Sequence, residues 1–408
     1  IMQNHNQDMK FGILKERKSP PDRRVVFSPN ELVQLKQLYP NAIVKVESSD
    51  IRIFSDEEYK KAGIEVTDDV SDCDVLFGVK EVPVEALIPN KSYFFFSHTI
   101  KKQPYNRKLL QAIVSHNINL YDHETIVDAD NRRLIGFGRY AGIVGAYNSI
   151  RAFGIKFELF KLPKAETLAS KEELIRHLKR IVFPPIKFVV TGSGKVGGGI
   201  KEILDAIKIT EVSTDNFLTK KYAQAVYTQI DVLDYNKRID GQVLNCRDFY
   251  NNPKEYVGNF ERFTKVADIV ITGHFHGNDA PDILTREMLQ AKDCHIKVIG
   301  DVSCDINGPI ASTLRASTIE SPIYGYLPSE HKEVEVFHPA AIVVMAVDNL
   351  PCELPKDASE GFGMMFMEHV IPSFFNNDKE GILERGKMTE KGKLTERFSY
   401  LQDYLDGN

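Results

Sequence analysis

KFVVTGSGKVG, at residues 187–197, carries the strongest structural signal in this chain of 408 residues. Its first five residues form a β-branched and aromatic run that favours a buried strand. Its last six give Gly-x-Gly-x-x-Gly, and Ile200, Ile203, Leu204 and Ile207 follow at the spacing of one helix face. Strand, glycine-rich turn and helix in this order predict a Rossmann βαβ unit.

Each of the three positions in this turn requires glycine for a physical reason. Gly192 permits the tight turn, Gly194 lets the backbone approach a pyrophosphate, and Gly197 allows close contact between helix and strand. The free N–H groups and the positive dipole at the helix start then favour phosphate. A tight turn in any α/β domain, or a nucleotide-binding fold used for methyl transfer, would show the same glycines. We expect a bound dinucleotide, contacted by Gly192, Ser193, Gly194, Lys195, Val196 and Gly197.

The choice between NAD and NADP depends on the residues after the following strand. NAD enzymes usually carry an acidic residue there, about 20 residues past the glycines, which holds the ribose hydroxyls. In this chain the neighbourhood is EVSTD at 211–215, and Ser213 lies nearest to the expected place. A carboxylate at either end of that segment would suit NAD, whereas Lys220 and Lys221 would suit the 2′-phosphate of NADP. We expect NADPH, with NAD as the alternative.

Short apolar runs alternate with helical patterns along most of the chain. Such alternation is typical of parallel sheets that are covered by helices on both faces. The sequence therefore predicts an α/β protein with two Rossmann-like, doubly wound parallel-sheet domains separated by a cleft. The candidate strands of the two series are 11–14, 42–46, 73–79, 93–96 and 118–121, then 187–191, 209–212, 266–272, 296–300 and 341–347.

The domain boundaries follow from three helical segments. The small-residue stretch 137–153 is predicted to be a helix that joins the domains. The last helical patterns, 359–370 and 396–405, have no strands of their own and are expected to pack on the first domain. We predict a substrate or catalytic domain at 9–143, completed by 350–408, and a dinucleotide-binding domain at 144–349.

Composition excludes several classes of function. The net charge of −5 comes without a Lys/Arg stripe, so we expect no nucleic-acid partner. No apolar run reaches the roughly 18 residues that a membrane helix needs, so we expect no membrane partner. The five cysteines are odd in number and form no C-x-x-C pair, which indicates reduced thiols rather than disulfides or a zinc site. Because the stretch 1–8 also lacks the layout of a secretory signal, we expect a cytoplasmic protein.

Three ionisable residues lie at predicted strand ends in the first domain, where ligands gather in open parallel sheets. Arg24 follows the first strand, Lys80 ends the third and His98 ends the fourth. A guanidinium binds a carboxylate through two parallel hydrogen bonds, and lysine and histidine can transfer protons. Taken singly, Arg24 and Lys80 would also suit solvated surface charges, and His98 a capped loop histidine. The recurrence of the pattern on three strands favours a functional site.

Around these residues the sequence resembles a known superfamily, that of alanine dehydrogenase, the transhydrogenase alpha chain and lysine-forming saccharopine dehydrogenase. It is most similar to the lysine–2-oxoglutarate reductase domain of aminoadipic semialdehyde synthase, from about Lys10 to Leu405. The stretches SHTIK and DNLP are the most specific for the saccharopine branch. The matching stretches are KER at 15–17, RRVVFSP at 23–29, GVKE at 78–81, FFSHTIK at 95–101, LYDHE at 120–124, GFGRYAG at 136–142, TGSG at 191–194, DVSCD at 301–305 and VDNLPCELP at 347–355.

The resemblance implies an oxidoreductase that couples the ε-amine of lysine reductively with 2-oxoglutarate to give saccharopine, or catalyses the reverse. It implies that Lys80 and His98 form the acid–base pair. One would protonate the carbinolamine oxygen and the other would serve the secondary amine. Glu81 and Glu124 would tune this pair electrostatically.

The resemblance also assigns binding residues. Arg24 and Arg133 would hold substrate carboxylates. Asp305 would lie beside the nicotinamide and take part in catalysis, and Asn349 and Leu350 would line the nicotinamide ring.

Three further residues are assigned to the cofactor. Gly273 and His274, on the loop after a strand of the second domain, would contact it. Asp301 would do the same, or else cap a turn at its strand end. His274 and His276 form an H-x-H pair, but without a third ligand nearby we expect no metal.

Two other functions stay open: an alanine dehydrogenase-like amino-acid or opine dehydrogenase, and a non-catalytic dinucleotide sensor. Retention of Lys80, His98 and Asp305 argues against the sensor. The expected partners are small molecules, namely lysine, 2-oxoglutarate or saccharopine. The sequence leaves the direction of the reaction and the oligomeric state open.

Overall fold

The computed structural model of the protein describes residues 8–408. The polar N-terminal stretch considered above lies, apart from Asp8, outside the described residues. The chain divides into two compact units. Unit 1 contains the residues up to Phe137 together with Pro355–Asn408, and unit 2 is Gly138–Leu354.

The N-terminal part of unit 1 forms one six-stranded sheet in which every pairing is parallel. Its elements are β1 (Met9–Ile13), α1 (Pro29–Leu38), β2 (Ala42–Glu47), α2 (Asp56–Lys61), β3 (Glu65–Thr67), β4 (Val75–Lys80), β5 (Ser92–Phe96), α3 (Arg107–Ser115) and β6 (Asn119–Asp122). The strand order β3-β2-β1-β4-β5-β6 is that of a doubly wound sheet. The order reverses between β1 and β4, and the carboxyl ends of strands at such a switch point are where ligands bind.

Unit 2 begins with a long helix and continues as a second α/β series. Its elements are α4 (Gly138–Phe157), α5 (Lys171–Leu178), β7 (Lys187–Thr191), α6 (Lys195–Ala206), β8 (Thr210–Glu211), α7 (Thr214–Thr219), β9 (Val226–Ile230), α8 (Val232–Tyr235), β10 (Asn236–Arg238), α9 (Cys246–Asn251), β11 (Tyr256–Gly258), α10 (Glu261–Thr264), β12 (Ile269–Thr272), α11 (Arg286–Gln290), β13 (Val298–Asp301), β14 (Ile323–Leu327), β15 (Lys332–Val334) and β16 (Ile342–Met345).

The main sheet of unit 2 has the order β15-β14-β16-β13-β12-β7-β9-β8. The strands from β16 to β8 are parallel, and β14 and β15 form an antiparallel edge. Strands β10 and β11 pair separately as an antiparallel ribbon. The predicted α/β class with two parallel sheets is therefore confirmed.

Helix α4 packs against α6 through glycines on both helices. A Cβ atom on Gly142 would lie 2.1 Å from the carbonyl oxygen of Val196, and one on Gly199 would lie 2.1 Å from that of Arg139. Side chains at these positions would force the helices apart. Because α4 belongs to unit 2 along its whole length, the boundary falls between Phe137 and Gly138, not at 143 as the sequence predicts.

The C-terminal segment completes unit 1. Its elements are α12 (Pro355–His369), α13 (Ile382–Gly386), β17 (Thr389–Glu390), β18 (Lys393–Leu394) and α14 (Gln402–Asp406). The ring of Phe366 on α12 lies 5.5 Å from that of Phe77 and 5.6 Å from that of Phe94, so the helix covers the centre of the sheet. Within residues 8–408, no helix combines the length and the apolar character needed to cross a bilayer.

Candidate functional site

The carboxyl ends of β4, β5 and β6 meet at one edge of the unit 1 sheet, because the three strands are parallel neighbours. Lys80 is the last residue of β4, His98 follows the end of β5, and Glu124 follows the end of β6. The sequence-predicted ionisable residues of these strands therefore lie at the same edge.

His98 is held by a carboxylate. Its Nδ1 lies 3.2 Å from Oε1 of Glu124, and Oε2 of Glu124 accepts a 2.7 Å hydrogen bond from Arg133. The hydrogen bond between His98 and Glu124 raises the pKa of His98 above its ordinary value, although partial burial acts in the opposite direction. His98 also has a φ of +56°, a conformation that non-glycine residues adopt mainly under local constraint. The Glu124 carboxylate therefore favours the protonated form of the imidazole.

The Glu124 carboxylate is the counter-charge of this site. Burial alone would raise its pKa, but the hydrogen bond with His98 and the charge of Arg133 hold that pKa below its ordinary value. The carboxylate therefore stays ionised beside His98. Arg133 itself is more than half exposed, so its guanidinium is accessible from solvent.

Asp122, at the end of β6, fixes the two loops behind this pair. Its buried carboxylate accepts hydrogen bonds from the Ser97 N–H at 2.9 Å, from the Ser97 hydroxyl, and from the Glu124 N–H at 2.8 Å. Burial, followed by the like charge of Glu124, raises the pKa of Asp122. Sequence reasoning missed this residue, because its partner at Ser97 is recognisable only once β5 and β6 are paired.

Lys80 and Arg24 share one buried carboxylate. Asp22 accepts hydrogen bonds from Nε and Nη2 of Arg24 at 3.1 and 2.8 Å, and Nζ of Lys80 lies 3.6 Å from Asp22 Oδ2. The guanidinium of Arg24 also lies 4.4 Å from the centre of the Phe137 ring. Burial would raise the pKa of Asp22, but Arg24 and Lys80 hold it below its ordinary value. The sequence analysis does not single out Asp22, because its contact with Lys80 forms only where the loop after β1 meets the end of β4.

Glu81 follows Lys80 and pairs with a different lysine. Its carboxylate lies 2.7 Å from Nζ of Lys18 in the loop after β1. Lys18 and Asp22 thus place two charged contacts from that loop beside the end of β4. This matches the topological switch point between β1 and β4.

The glycine-rich turn of unit 2 has the geometry that a dinucleotide requires. Gly192 has a φ of +91°, and a Cβ on Gly197 would lie 2.1 Å from the Gly192 carbonyl oxygen. A Cβ on Gly194 would meet nothing within 4 Å, and no side chain caps the start of α6 at this residue. Residues 193–195 are exposed, and Val196 is half-buried. The first amides of α6 are therefore accessible to a pyrophosphate, so these residues fit the cofactor.

On this side of the sheet the strand beside β7 is β9, not β8, so the segment 211–215 that was expected near the ribose lies one strand further out. Ser213 caps α7 by accepting the Asn216 N–H at 3.2 Å, and Glu211 pairs with Lys201 at 2.7 Å, both beyond β9. The residue that follows β9 is Asp231. A count of about 20 residues from the glycines reaches the edge strand β8, because β8 and α7 precede the neighbouring strand β9 in the chain. In the sequence, β9 is recognisable as the VYTQI run at 226–230, which is followed by an acidic residue.

Gly273 and His274 lie against the turn, on the loop after β12. A Cβ on Gly192 would come within 2.3 Å of the Gly273 carbonyl oxygen and 2.9 Å of the His274 Cα. Nδ1 of His274 lies 2.7 Å from the Thr191 hydroxyl, whereas its buried Nε2 has no hydrogen-bond partner. Burial lowers the pKa of His274 to about 4, so the ring is neutral. The orphaned nitrogen next to the turn is a further observation that fits a bound cofactor.

Asp301 is fully buried at the end of β13. Its carboxylate accepts a 2.7 Å hydrogen bond from the Thr272 hydroxyl, another at 3.2 Å from the Cys304 N–H, and two more from the hydroxyls of Ser303 and Thr313. This arrangement is that of a carboxylate that fixes the loop after its strand, which is the capping alternative considered from the sequence.

The remaining predicted residues also lie in unit 2. Asp305 is exposed on the loop after β13. Asn349 has a φ of +73° and starts a short 3-10 turn, and Leu350 in that turn is buried near Gly145 of α4. Among residues 8–408, no group of three His, Cys, Asp or Glu side chains has a metal-binding arrangement.

A Rossmann turn that fits a pyrophosphate, together with an edge of paired acids and bases, defines the class of dinucleotide-binding oxidoreductases. Comparison with family models narrows this class. Residues 12–144 match the model "Alanine dehydrogenase/PNT, N-terminal domain", and residues 184–397 match "Alanine dehydrogenase/PNT, C-terminal domain". The chain belongs to the alanine dehydrogenase/PNT family, whose members use NAD or NADP.

Curated relatives fall in the saccharopine branch. The chain is 27% identical to alpha-aminoadipic semialdehyde synthase of Arabidopsis thaliana, over 97% of this chain and 42% of the relative. It is 25% identical to the mitochondrial protein of that name from Rattus norvegicus, over 93% of this chain and 46% of the relative. The chain thus spans less than half the length of these two proteins. It is also 26% identical to saccharopine dehydrogenase [NAD(+), L-lysine-forming] of Schizosaccharomyces pombe, over 81% of this chain and 83% of that one.

Solved structures share the fold. An L-alanine dehydrogenase superposes with a TM-score of 0.65 at 17% identity, covering 98% of this chain and 99% of that one. The transhydrogenase from Sinorhizobium meliloti superposes with a TM-score of 0.57 at 15% identity, covering 95% and 98%.

Proposed function

We propose that the protein is a saccharopine dehydrogenase of the lysine-forming type, which couples lysine and 2-oxoglutarate reductively or catalyses the reverse. The observation that carries the proposal is the pair Lys80 and His98 on neighbouring strands, each with its own carboxylate, Asp22 and Glu124. The names of the relatives in the saccharopine branch support the same substrate class.

The proposed reaction needs two proton transfers. The lysine ε-amine adds to the ketone of 2-oxoglutarate, and the resulting carbinolamine loses water to give an imine. Lys80 and His98 divide the work: one protonates the departing oxygen and the other exchanges a proton with the amine nitrogen. Glu124 favours the protonated form of His98, and Asp22 provides the counter-charge beside Lys80. Arg24 and Arg133 are the proposed contacts for substrate carboxylates.

The residues of unit 2 would hold the cofactor, which supplies the hydride that reduces the imine. The amides at the start of α6 would bind its pyrophosphate. Gly273 and His274 would contact it from the loop after β12, and Asp305, Asn349 and Leu350 would lie on the nicotinamide side. Asp301 would contribute to cofactor binding indirectly, by fixing the loop after β13.

The strand order favours NAD over the NADPH expected from the sequence. Asp231 follows the strand adjacent to β7, which is where an acidic residue accepts hydrogen bonds from the ribose hydroxyls of NAD. Its charge would also repel the 2′-phosphate of NADP. Asp231 accepts the Leu233 N–H at 2.9 Å, which fixes the carboxylate at the end of the strand.

A co-substrate screen tests the proposal. Oxidation of NADH and of NADPH would be followed with lysine plus 2-oxoglutarate, and with ammonia plus pyruvate as the matched pair. We expect turnover with the first pair and a preference for NADH. Turnover with ammonia and pyruvate alone would instead assign an alanine dehydrogenase-like activity. Cofactor binding without turnover in any pair would assign a sensor.

A further inference from the structure

Glu16 lies in the loop after β1 and joins that loop to the end of β4. Its Oε1 accepts the Lys80 N–H at 2.7 Å, and its Oε2 accepts the Val79 N–H at 3.1 Å. Both bonds reach across more than 60 positions of sequence. One carboxylate therefore holds two consecutive backbone amides immediately beside the proposed proton-transfer residue.

These two hydrogen bonds occur where the pairing of β4 with its neighbouring strands is irregular. On one side, β1 pairs with β4 only as far as Ile13 opposite Phe77. On the other side, the pairing of β4 with β5 loses its regular register between Phe77 and Lys80. The pairing with β5 resumes only at Lys80, opposite Phe96, so Gly78 and Val79 lie in an irregular part of the ladder. Without another acceptor, the amides that Glu16 binds would lack a partner, which is costly in a partly buried place.

A second side chain holds the same strand end. Nε2 of the buried His123 donates to the Gly78 carbonyl oxygen at 2.7 Å, because a carbonyl oxygen can only accept. Burial lowers the pKa of His123 to about 3, so the ring is neutral. Glu16 and His123 therefore hold three successive residues of β4, Gly78 to Lys80, through side chains. The direction in which Lys80 leaves the strand depends on these contacts.

The surroundings of Glu16 are charged. Burial raises the pKa of Glu16 to about 7, against the lowering effect of the two backbone N–H groups, and the charges of Asp22 and Arg24 shift it in opposite directions. The Lys15 to Arg17 loop also has a second anchor. Glu47 binds the Lys15 N–H at 3.0 Å and Arg17 at 2.6 Å.

We propose that Glu16 is a positioning residue for Lys80: by fixing the end of β4, it keeps the lysine ammonium within reach of Asp22. The proposal rests on the proposed function for the role of Lys80, but the contact itself does not. Glu47 offers a matched control, because Glu47→Gln weakens the anchor of the same loop without touching β4.

The experiment compares Glu16→Gln, Glu16→Asp and Glu47→Gln with the wild-type chain. Gln keeps the shape but presents an N–H group to a backbone N–H, and Asp withdraws the carboxylate by one methylene. For Glu16→Gln we expect kcat to fall by about 100-fold, the scale of an error of about 1 Å in position. The KM for the reduced cofactor should not change. Glu16→Asp should show a smaller loss, and Glu47→Gln should retain the wild-type kcat.

A second readout does not depend on turnover. Competitive labelling with acetic anhydride, followed by peptide mass spectrometry, measures the reactivity of the Lys80 amine in the intact chain. Release of the strand end should make Lys80 react faster in Glu16→Gln and Glu16→Asp, but not in Glu47→Gln. Should Glu16→Gln unfold, Glu16→Asp carries both measurements.

The outcomes separate the two proposals. Equal loss of kcat in the Glu16 and Glu47 variants, or unchanged Lys80 labelling in the Glu16 variants, would overturn the positioning role. A wild-type chain that turns over none of the substrate pairs would overturn the proposed function. The labelling would then still decide whether Glu16 positions Lys80.

Discussion

The side chains at the edge of the unit 1 sheet work in pairs, so their chemistry depends on partners that are distant in sequence. His98 has Glu124, and Lys80 has Asp22. The sequence predicts the first pair through its resemblance to a family, but it does not single out Asp22, Asp122 or Glu16. Each of these carboxylates acts on a residue that only sheet pairing brings near, as with Asp122 and Ser97 on neighbouring strands.

Replacing Glu124 by Gln should lower the pKa of His98. The Glu124 carboxylate raises that pKa above its ordinary value of 6.5, so the wild-type ring keeps its proton as the pH rises past 6.5. In the variant, partial burial remains while the attraction is lost, and the proton should leave at lower pH. NMR titration of the His98 ring measures this directly, and the limb of the pH–rate profile that belongs to His98 should move in the same direction. Glu47→Gln is the control, and an unmoved titration in Glu124→Gln would contradict the assignment.

Lys80→Met and His98→Gln should each reduce kcat by about 10²–10⁴-fold, the usual contribution of a general acid or base. The double variant should lose less than the product of the two single losses, since the residues serve successive steps of one reaction. Steady-state kinetics with saturating substrates provide the measurement. A double variant with wild-type turnover would remove both residues from the mechanism.

Asp231→Ser should change the choice of cofactor. Serine can still cap α8 but removes the charge, so the helix start should persist. Loss of a hydrogen bond to a charged group costs about 1.5–3 kcal/mol, so NADH affinity should fall by roughly 10- to 100-fold while NADPH loses less. Titration of cofactor fluorescence gives both affinities. The control is Ser213→Ala. A change of the preference between NADH and NADPH in Ser213→Ala, but not in Asp231→Ser, would assign the ribose contact to Ser213 instead.

At the scale of elements, the sequence predicts many of the central strands, but it does not predict β9 or which strands become neighbours. The glycine turn, β7 and α6 lie where the pattern of 187–207 places them. The strand β9 is absent from the predicted strands, and its pairing with β7 is not predicted either, because hydrophobic pattern determines the face of a strand and leaves its neighbour open. The domain boundary predicted within 137–153 differs from the start of unit 2 for a related reason. Small residues indicate close packing but do not identify the partner helix.

The crossing of α4 and α6 gives a prediction about stability. Gly199→Ala should lower the midpoint of thermal unfolding, because its Cβ would overlap the Arg139 carbonyl oxygen, and overpacking costs about 1–3 kcal/mol or more. Gly198→Ala, one position away on the same helix, meets nothing within 4 Å. That control should be neutral or stabilising, since alanine favours helix by about 1 kcal/mol over glycine. Equal midpoints for the two variants would contradict the close crossing.

At the scale of the whole molecule, the dinucleotide turn belongs to unit 2 and the ionisable edge to unit 1. The fold itself is common to alanine dehydrogenase and transhydrogenase structures, so it does not select a substrate. The proposed substrate class is supported by the ionisable edge of unit 1 and by the names of relatives that this chain matches over less than half their length.

Transfer of deuterium from the cofactor tests the central claim most directly. The chain would be incubated with lysine, 2-oxoglutarate and reduced NAD that carries deuterium at the transferred position, and the products analysed by mass spectrometry. The account predicts saccharopine with one deuterium on the former ketone carbon, formed in proportion to the cofactor oxidised. Cofactor oxidation without saccharopine, or saccharopine without deuterium, would contradict it.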